Sequence, residues 1–66
     1  MQTASHHNLA EFLRKSIRNQ MNEMADHIAG GACTDYADYK RCCGVIHGLA
    51  LAERELLDLT KQIDDD

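Results

Sequence analysis

Cys42, Val45, Leu49, Ala52, Leu56, Leu59 and Ile63 recur in alternating steps of three and four residues. That spacing sets side chains along one seam of a helix packed against another helix. The seam calls for a partner helix. It brings no reaction with it.

The first half of the chain supplies such a partner. Asn8 offers a helix N-cap, because its side chain can accept from the backbone N–H of Glu11 while the Glu11 carboxylate reaches back. From there Leu9, Leu13, Ile17, Met21, Met24 and Ile28 step by four or three along one face, and Phe12 widens it. Glu11, Lys15, Arg18, Asn19 and Asn22 mark the wet side, with Glu11 and Lys15 placed as a favourable i,i+4 pair. Gly30–Gly31 ends the run, since glycine accepts the left-handed backbone that closes a helix. Thr34 or Asp35 caps the second helix, with Asp35 and Asp38 near its positive end.

The chain therefore reads as a single all-α domain, an antiparallel helical hairpin. Residues 1–7 form a flexible tail, 8–29 the first helix, 30–34 the turn, 35–62 the second helix and 63–66 an acidic, frayed end. A connection this short makes the helices antiparallel neighbours. If Ile28 lies near Tyr36, then Met21 faces Cys43 and Leu9 lies near Leu56. The second helix outruns the first in this register, so Leu59 and Ile63 need cover from residues 1–7 or from another subunit.

Association is the expected remedy for a small core. Sixty-six residues sit near the size at which one core only just offsets chain entropy. The second helix also carries Tyr36, Tyr39, Cys43, Ile46, Ala50 and Leu57 off the main seam, and one partner cannot cover both stripes. Gly44 and Gly48 each cost about 1 kcal/mol of helix propensity. Close approach by another helix would offset that loss. The expected assembly is a homodimer forming a four-helix bundle, or a higher oligomer, through Cys42, Gly44, Val45, Ile46, Gly48, Leu49, Ala52, Leu56, Leu59 and Ile63.

Other functions have less support in the residues. A net charge of −4 argues against a general nucleic-acid binder, which needs a basic face. No apolar stretch approaches bilayer length and no segment has the form of a secretory signal, so the expected location is cytoplasmic, without a membrane partner. The three cysteines form no disulfide framework, and adjacent Cys42 and Cys43 diverge too far around a helix to pair. Cys43 and His47 share a face at i,i+4, but two ligands do not make a metal site. No residue is assigned as a metal ligand, and no cofactor is implied. With no phosphate loop and no nucleophile–base arrangement, no catalytic residue is assigned either.

The stretch from Asp35 to Leu59, DYADYKRCCGVIHGLALAERELLDL, resembles a segment of small proteins encoded by tailed bacteriophages. Asp35, Tyr36, Tyr39, Gly44, Ile46, Gly48, Leu49, Glu53 and Leu56 carry the likeness, and MADHIAGGA before it adds a weaker one. The paired cysteines depart from the usual pattern. The resemblance implies a phage accessory protein in an infected bacterial cytoplasm. It would be a non-enzymatic helical interaction or assembly module whose partners are itself and a phage or host protein. An alternative is a small acidic inhibitor of a host enzyme or defence system, acting through the C-terminal charges Glu53, Glu55, Asp58 and Asp64–Asp66.

Overall fold

The structure is a computed structural model that describes residues 2–65, with side chains described for residues 8–63. It is an all-α antiparallel hairpin of two helices, α1 (Gln2–Ala29) and α2 (Tyr36–Asp65). They are 28 and 30 residues long, so neither outruns the other by more than a fraction of a turn. The molecule measures 48 × 16 × 11 Å.

Both helices are longer than the sequence pattern predicts. Residues 2–7 are helical, although they were expected as a tail; Met1 lies outside the described residues. No proline or glycine interrupts this stretch, and extending an existing helix by one residue adds a hydrogen bond without a new nucleation cost. Asn8 is consequently an interior residue and not a cap. Glu11 accepts from Arg14 at 2.6 Å, in place of the expected Lys15 pairing. At the other end α2 continues through Asp65, past the predicted stop at 62, and Asp66 lies outside the described residues.

The turn is held by backbone geometry. Gly31 has φ +75°, the one left-handed residue of the described chain. Its N–H donates to the Ile28 carbonyl at 3.1 Å, while the Ala32 N–H donates to the His27 carbonyl at 3.2 Å. These paired bonds form a Schellman closure, which satisfies carbonyls that a helix end otherwise leaves free. Asp35 is the cap of α2: its Oδ1 accepts from the Asp38 N–H at 2.8 Å. Asp38 reaches back in turn, its Oδ2 accepting from the Thr34 N–H at 3.1 Å.

The helices meet along two inward ladders. In α1 the residues at least partly buried are Ala10, Arg14, Ile17, Met21, Met24 and Ile28; in α2 a matching set runs Cys42, Ile46, Leu49, Glu53, Leu56 and Thr60. Each alternates steps of four and three. The α1 ladder agrees with the predicted one from Ile17 onward, whereas Leu9 and Leu13 turn outward, 71% and 51% exposed. In α2 the predicted seam keeps only Cys42, Leu49 and Leu56 inside. Val45, Ala52, Leu59 and Ile63 lie exposed beside it, because polar Glu53 and Thr60 take inward positions.

The pairing also slides relative to the expected register. Arg18 reaches Glu53 at 2.5 Å, and Leu9, Ala10 and Leu13 share a groove with Leu56, Leu59, Thr60 and Ile63. This is nearly two helical turns further along α2 than a pairing of Ile28 with Tyr36 requires. The residues between Gly31 and Asp35 are spent on the crossing, so α2 begins its contact later than a minimal turn would allow.

Candidate metal centre at the closed end of the hairpin

The turn gathers four side chains that could donate to a metal. His27 lies in the last turn of α1, Cys33 in the connection, Asp38 in the first turn of α2, and Cys42 one turn further on. One ligand atom from each lies within 4.8 Å of every other. Each placement follows from local structure. The Schellman bond to the His27 carbonyl folds the chain back so that Cys33 comes beside the helix it has just left. Capping by Asp35 starts α2 at a fixed angle, and the i,i+4 spacing then puts Asp38 and Cys42 on one face.

Cys42 is fully buried, Cys33 and Asp38 are half-buried, and His27 is exposed. The cluster therefore has a closed floor and an open rim. Arg41 lies beside it, its Nε and Nη2 donating to Asp38 Oδ1 at 3.2 and 2.9 Å, with Nη2 also 3.6 Å from Cys42 Sγ. The Arg41 guanidinium, with help from the Thr34 N–H, holds the Asp38 carboxyl below its ordinary range. Burial, followed by the hydrogen bond to Cys42, pushes the Cys33 thiol up. Two sulfurs, an imidazole nitrogen and a carboxylate oxygen form a donor set of borderline-soft character.

Cys43 and His47, whose spacing in the sequence is that of two metal ligands on one helix face, lie elsewhere. Neither belongs to this cluster. Cys43 instead lies against the Tyr39 hydroxyl, and its hydrogen bond raises the Tyr39 pKa. Tyr39 in turn meets Tyr36 with ring centroids 6.0 Å apart. The signal that was available, a histidine and two cysteines around a Gly-Gly turn, spans an irregular connection whose path periodicity does not describe.

The residues expected at an interface fall into three groups. Cys42 has no exposed surface and cannot touch another molecule, which corrects its assignment. Ile46, Leu49 and Leu56 are half-buried between the helices. Gly44, Val45, Gly48, Ala52, Leu59 and Ile63 remain exposed. A Cβ built on Gly44 or Gly48 meets nothing within 4 Å, so neither glycine serves a close approach inside the hairpin. At the open end Leu9, Ala10, Leu13, Leu56, Leu59, Thr60 and Ile63 line a groove of about 290 Å³.

Among the described residues, no helix is long and apolar enough to cross a membrane. No family model, curated protein or solved structure matches the chain.

Proposed function

We propose that this protein is a non-enzymatic helical interaction module that works as a homodimer, with the second copy covering the apolar groove and the exposed flank of α2. The observation that carries this reading is surface left over. The chain exposes 5190 Å², whereas a compact monomer of 7.4 kDa exposes about 4200 Å² by the usual scaling of surface with mass. The excess, about 1000 Å², is comparable to the roughly 800 Å² each partner buries in a standard interface. It is also apolar. Ile17, Met21 and Cys42 are the buried apolar residues, against ten large apolar residues that stay exposed among those described.

A second copy accounts for features that the single hairpin does not use. Leu9, Leu13, Leu59 and Ile63 flank one groove, and a two-fold axis beside it would set the same four residues of each chain against each other. Gly44 and Gly48 forfeit about 1 kcal/mol each in helix propensity and gain no packing within the chain. Contact with another helix would compensate. The resemblance around Asp35–Leu59 adds the setting: a phage accessory protein assembling in the cytoplasm of an infected bacterium.

Sedimentation equilibrium at micromolar concentration tests the association. The expected result is twice the chain mass, falling to the chain mass in Gly48→Leu with helicity retained by circular dichroism. A wild-type chain that sediments as a monomer overturns the reading.

A further inference from the structure

We propose that His27, Cys33, Asp38 and Cys42 bind one zinc ion per chain, clamping the closed end of the hairpin. Tetrahedral zinc, with Zn–S near 2.3 Å and Zn–N or Zn–O near 2.0–2.2 Å, holds its ligand atoms roughly 3.3–3.8 Å apart. The four donor atoms already lie within 4.8 Å of one another, so a contraction of about 1 Å completes the shell. His27 is exposed, which leaves its side chain room to make it.

The chemistry of the donors selects the metal. Calcium and magnesium take oxygen ligands, whereas two cysteine sulfurs with an imidazole and one carboxylate suit zinc. Binding releases the Cys33 and Cys42 thiol protons to solvent and leaves two thiolates on the ion. With the Asp38 carboxylate the bound centre carries a net charge of about −1, and the Arg41 guanidinium, already 2.9 Å from Asp38 and 3.6 Å from Cys42 Sγ, neutralises it. Asp38 can keep its bonds to Arg41 and Thr34 while ligating, since each carboxylate oxygen has two lone pairs.

The arrangement is also pre-positioned. The Schellman closure and the Asp35 cap fix the backbone on both sides of Cys33, and Cys42 is anchored in the hairpin interior. The ion would tie α1, the connection and α2 at a single point. This inference is independent of dimerisation, because all four donors come from one chain.

The test uses the full chain, reduced and stripped with a chelator, then titrated with cobalt(II) as a spectroscopic probe and with zinc in competition. The expected result is one cobalt per chain with the visible bands of a tetrahedral site and thiolate-to-metal charge transfer, all displaced by zinc. Cys33→Ser and His27→Ala should each weaken zinc binding at least tenfold while keeping the helical circular dichroism. Cys43→Ser and His47→Ala should leave it unchanged. Absence of tetrahedral cobalt bands overturns the proposal. So does binding that depends on Cys43 and His47 instead, or a metal-free Cys33–Cys42 disulfide found by mass spectrometry in protein purified without reductant.

Discussion

Glu53→Leu should make this protein more stable. Glu53 occupies an inward position of α2, 8% exposed, in a ladder otherwise built of Cys42, Ile46, Leu49, Leu56 and Thr60. Its Oε1 accepts from Arg18 Nη2 at 2.5 Å, but its Oε2 is buried without a hydrogen-bond partner. An unpartnered buried acceptor costs about 1–3 kcal/mol. The Arg18 side chain is 49% exposed, so the ion pair is screened and contributes only about 0.5–1 kcal/mol. Leucine at this position removes the orphaned oxygen, forfeits the pair and adds apolar contact, for a net gain of about 1–3 kcal/mol. In a domain of this size each kcal/mol moves Tm by about 4–8 °C. Thermal unfolding followed by circular dichroism at matched chain concentration should show a rise of about 4–24 °C. Arg18→Ala should move Tm the other way, since it leaves both Glu53 oxygens without a partner. A Glu53→Leu protein of unchanged helicity that melts at or below the wild-type temperature would refute this account of the seam.

Gly31→Ala should destabilise the hairpin by about 1–2 kcal/mol, because an L side chain at φ +75° meets its own backbone; urea denaturation at constant chain concentration measures this. Gly44→Ala, which meets open space within the chain, should instead stabilise the hairpin by about 1 kcal/mol at chain concentrations low enough to keep it monomeric, read from urea unfolding curves. Glu11 should titrate below the ordinary glutamate value, because the Arg14 side chain donates to its carboxylate, and Arg14→Ala should return it; side-chain carboxyl shifts by NMR report both. A folded-state pKa lowered in this way contributes stability that is fully present above the unfolded value, near pH 4.5, and is lost as pH falls through the lowered one.

The helices were legible in the sequence because the stop between them is chemical. Gly30–Gly31 and the acidic cluster that follows allow little else. The facing residues were harder to read. A hydrophobic ladder reports where apolar side chains recur, and in α2 two ladders share Cys42, Leu49 and Leu56 and diverge between them, one through Val45, Ala52, Leu59 and Ile63, the other through Ile46, Glu53 and Thr60. Glu53 and Thr60 interrupt the second ladder, so the sequence favours the first, although the chain packs the second against α1. Arg18 makes the polar position tolerable, and that long-range pairing leaves no periodic trace. The metal-like cluster was illegible for a related reason. Its members are spaced His-x5-Cys-x4-Asp-x3-Cys, and only the last step is helical. The other two depend on a left-handed glycine and an aspartate cap, each of which turns the chain by an amount that residue spacing does not encode.

The misplaced ladder is itself informative about function. Four of the seven residues in the strongest apolar pattern lie outside the contact with α1, and two of these, Leu59 and Ile63, join Leu9 and Leu13 at the end of the hairpin opposite the turn. The closed end, by contrast, is tied down by short-range polar contacts: the Schellman bonds, the Asp35 cap and the Arg41–Asp38 pair all lie within about two helical turns of Gly31. The two ends therefore have different tasks. The turn fixes how the helices leave it, which the proposed zinc clamp would strengthen, and the far end presents apolar side chains whose spacing depends on that exit angle. A hairpin loosened at the turn would splay most at Leu9, Leu13, Leu59 and Ile63, since displacement grows with distance from the pivot. If both proposals hold, removing the metal should weaken dimerisation through residues that lie far from any ligand. Sedimentation of the chelated and zinc-loaded protein at the same chain concentration reads that coupling, and equal dimer affinity in both would show that the two ends act independently.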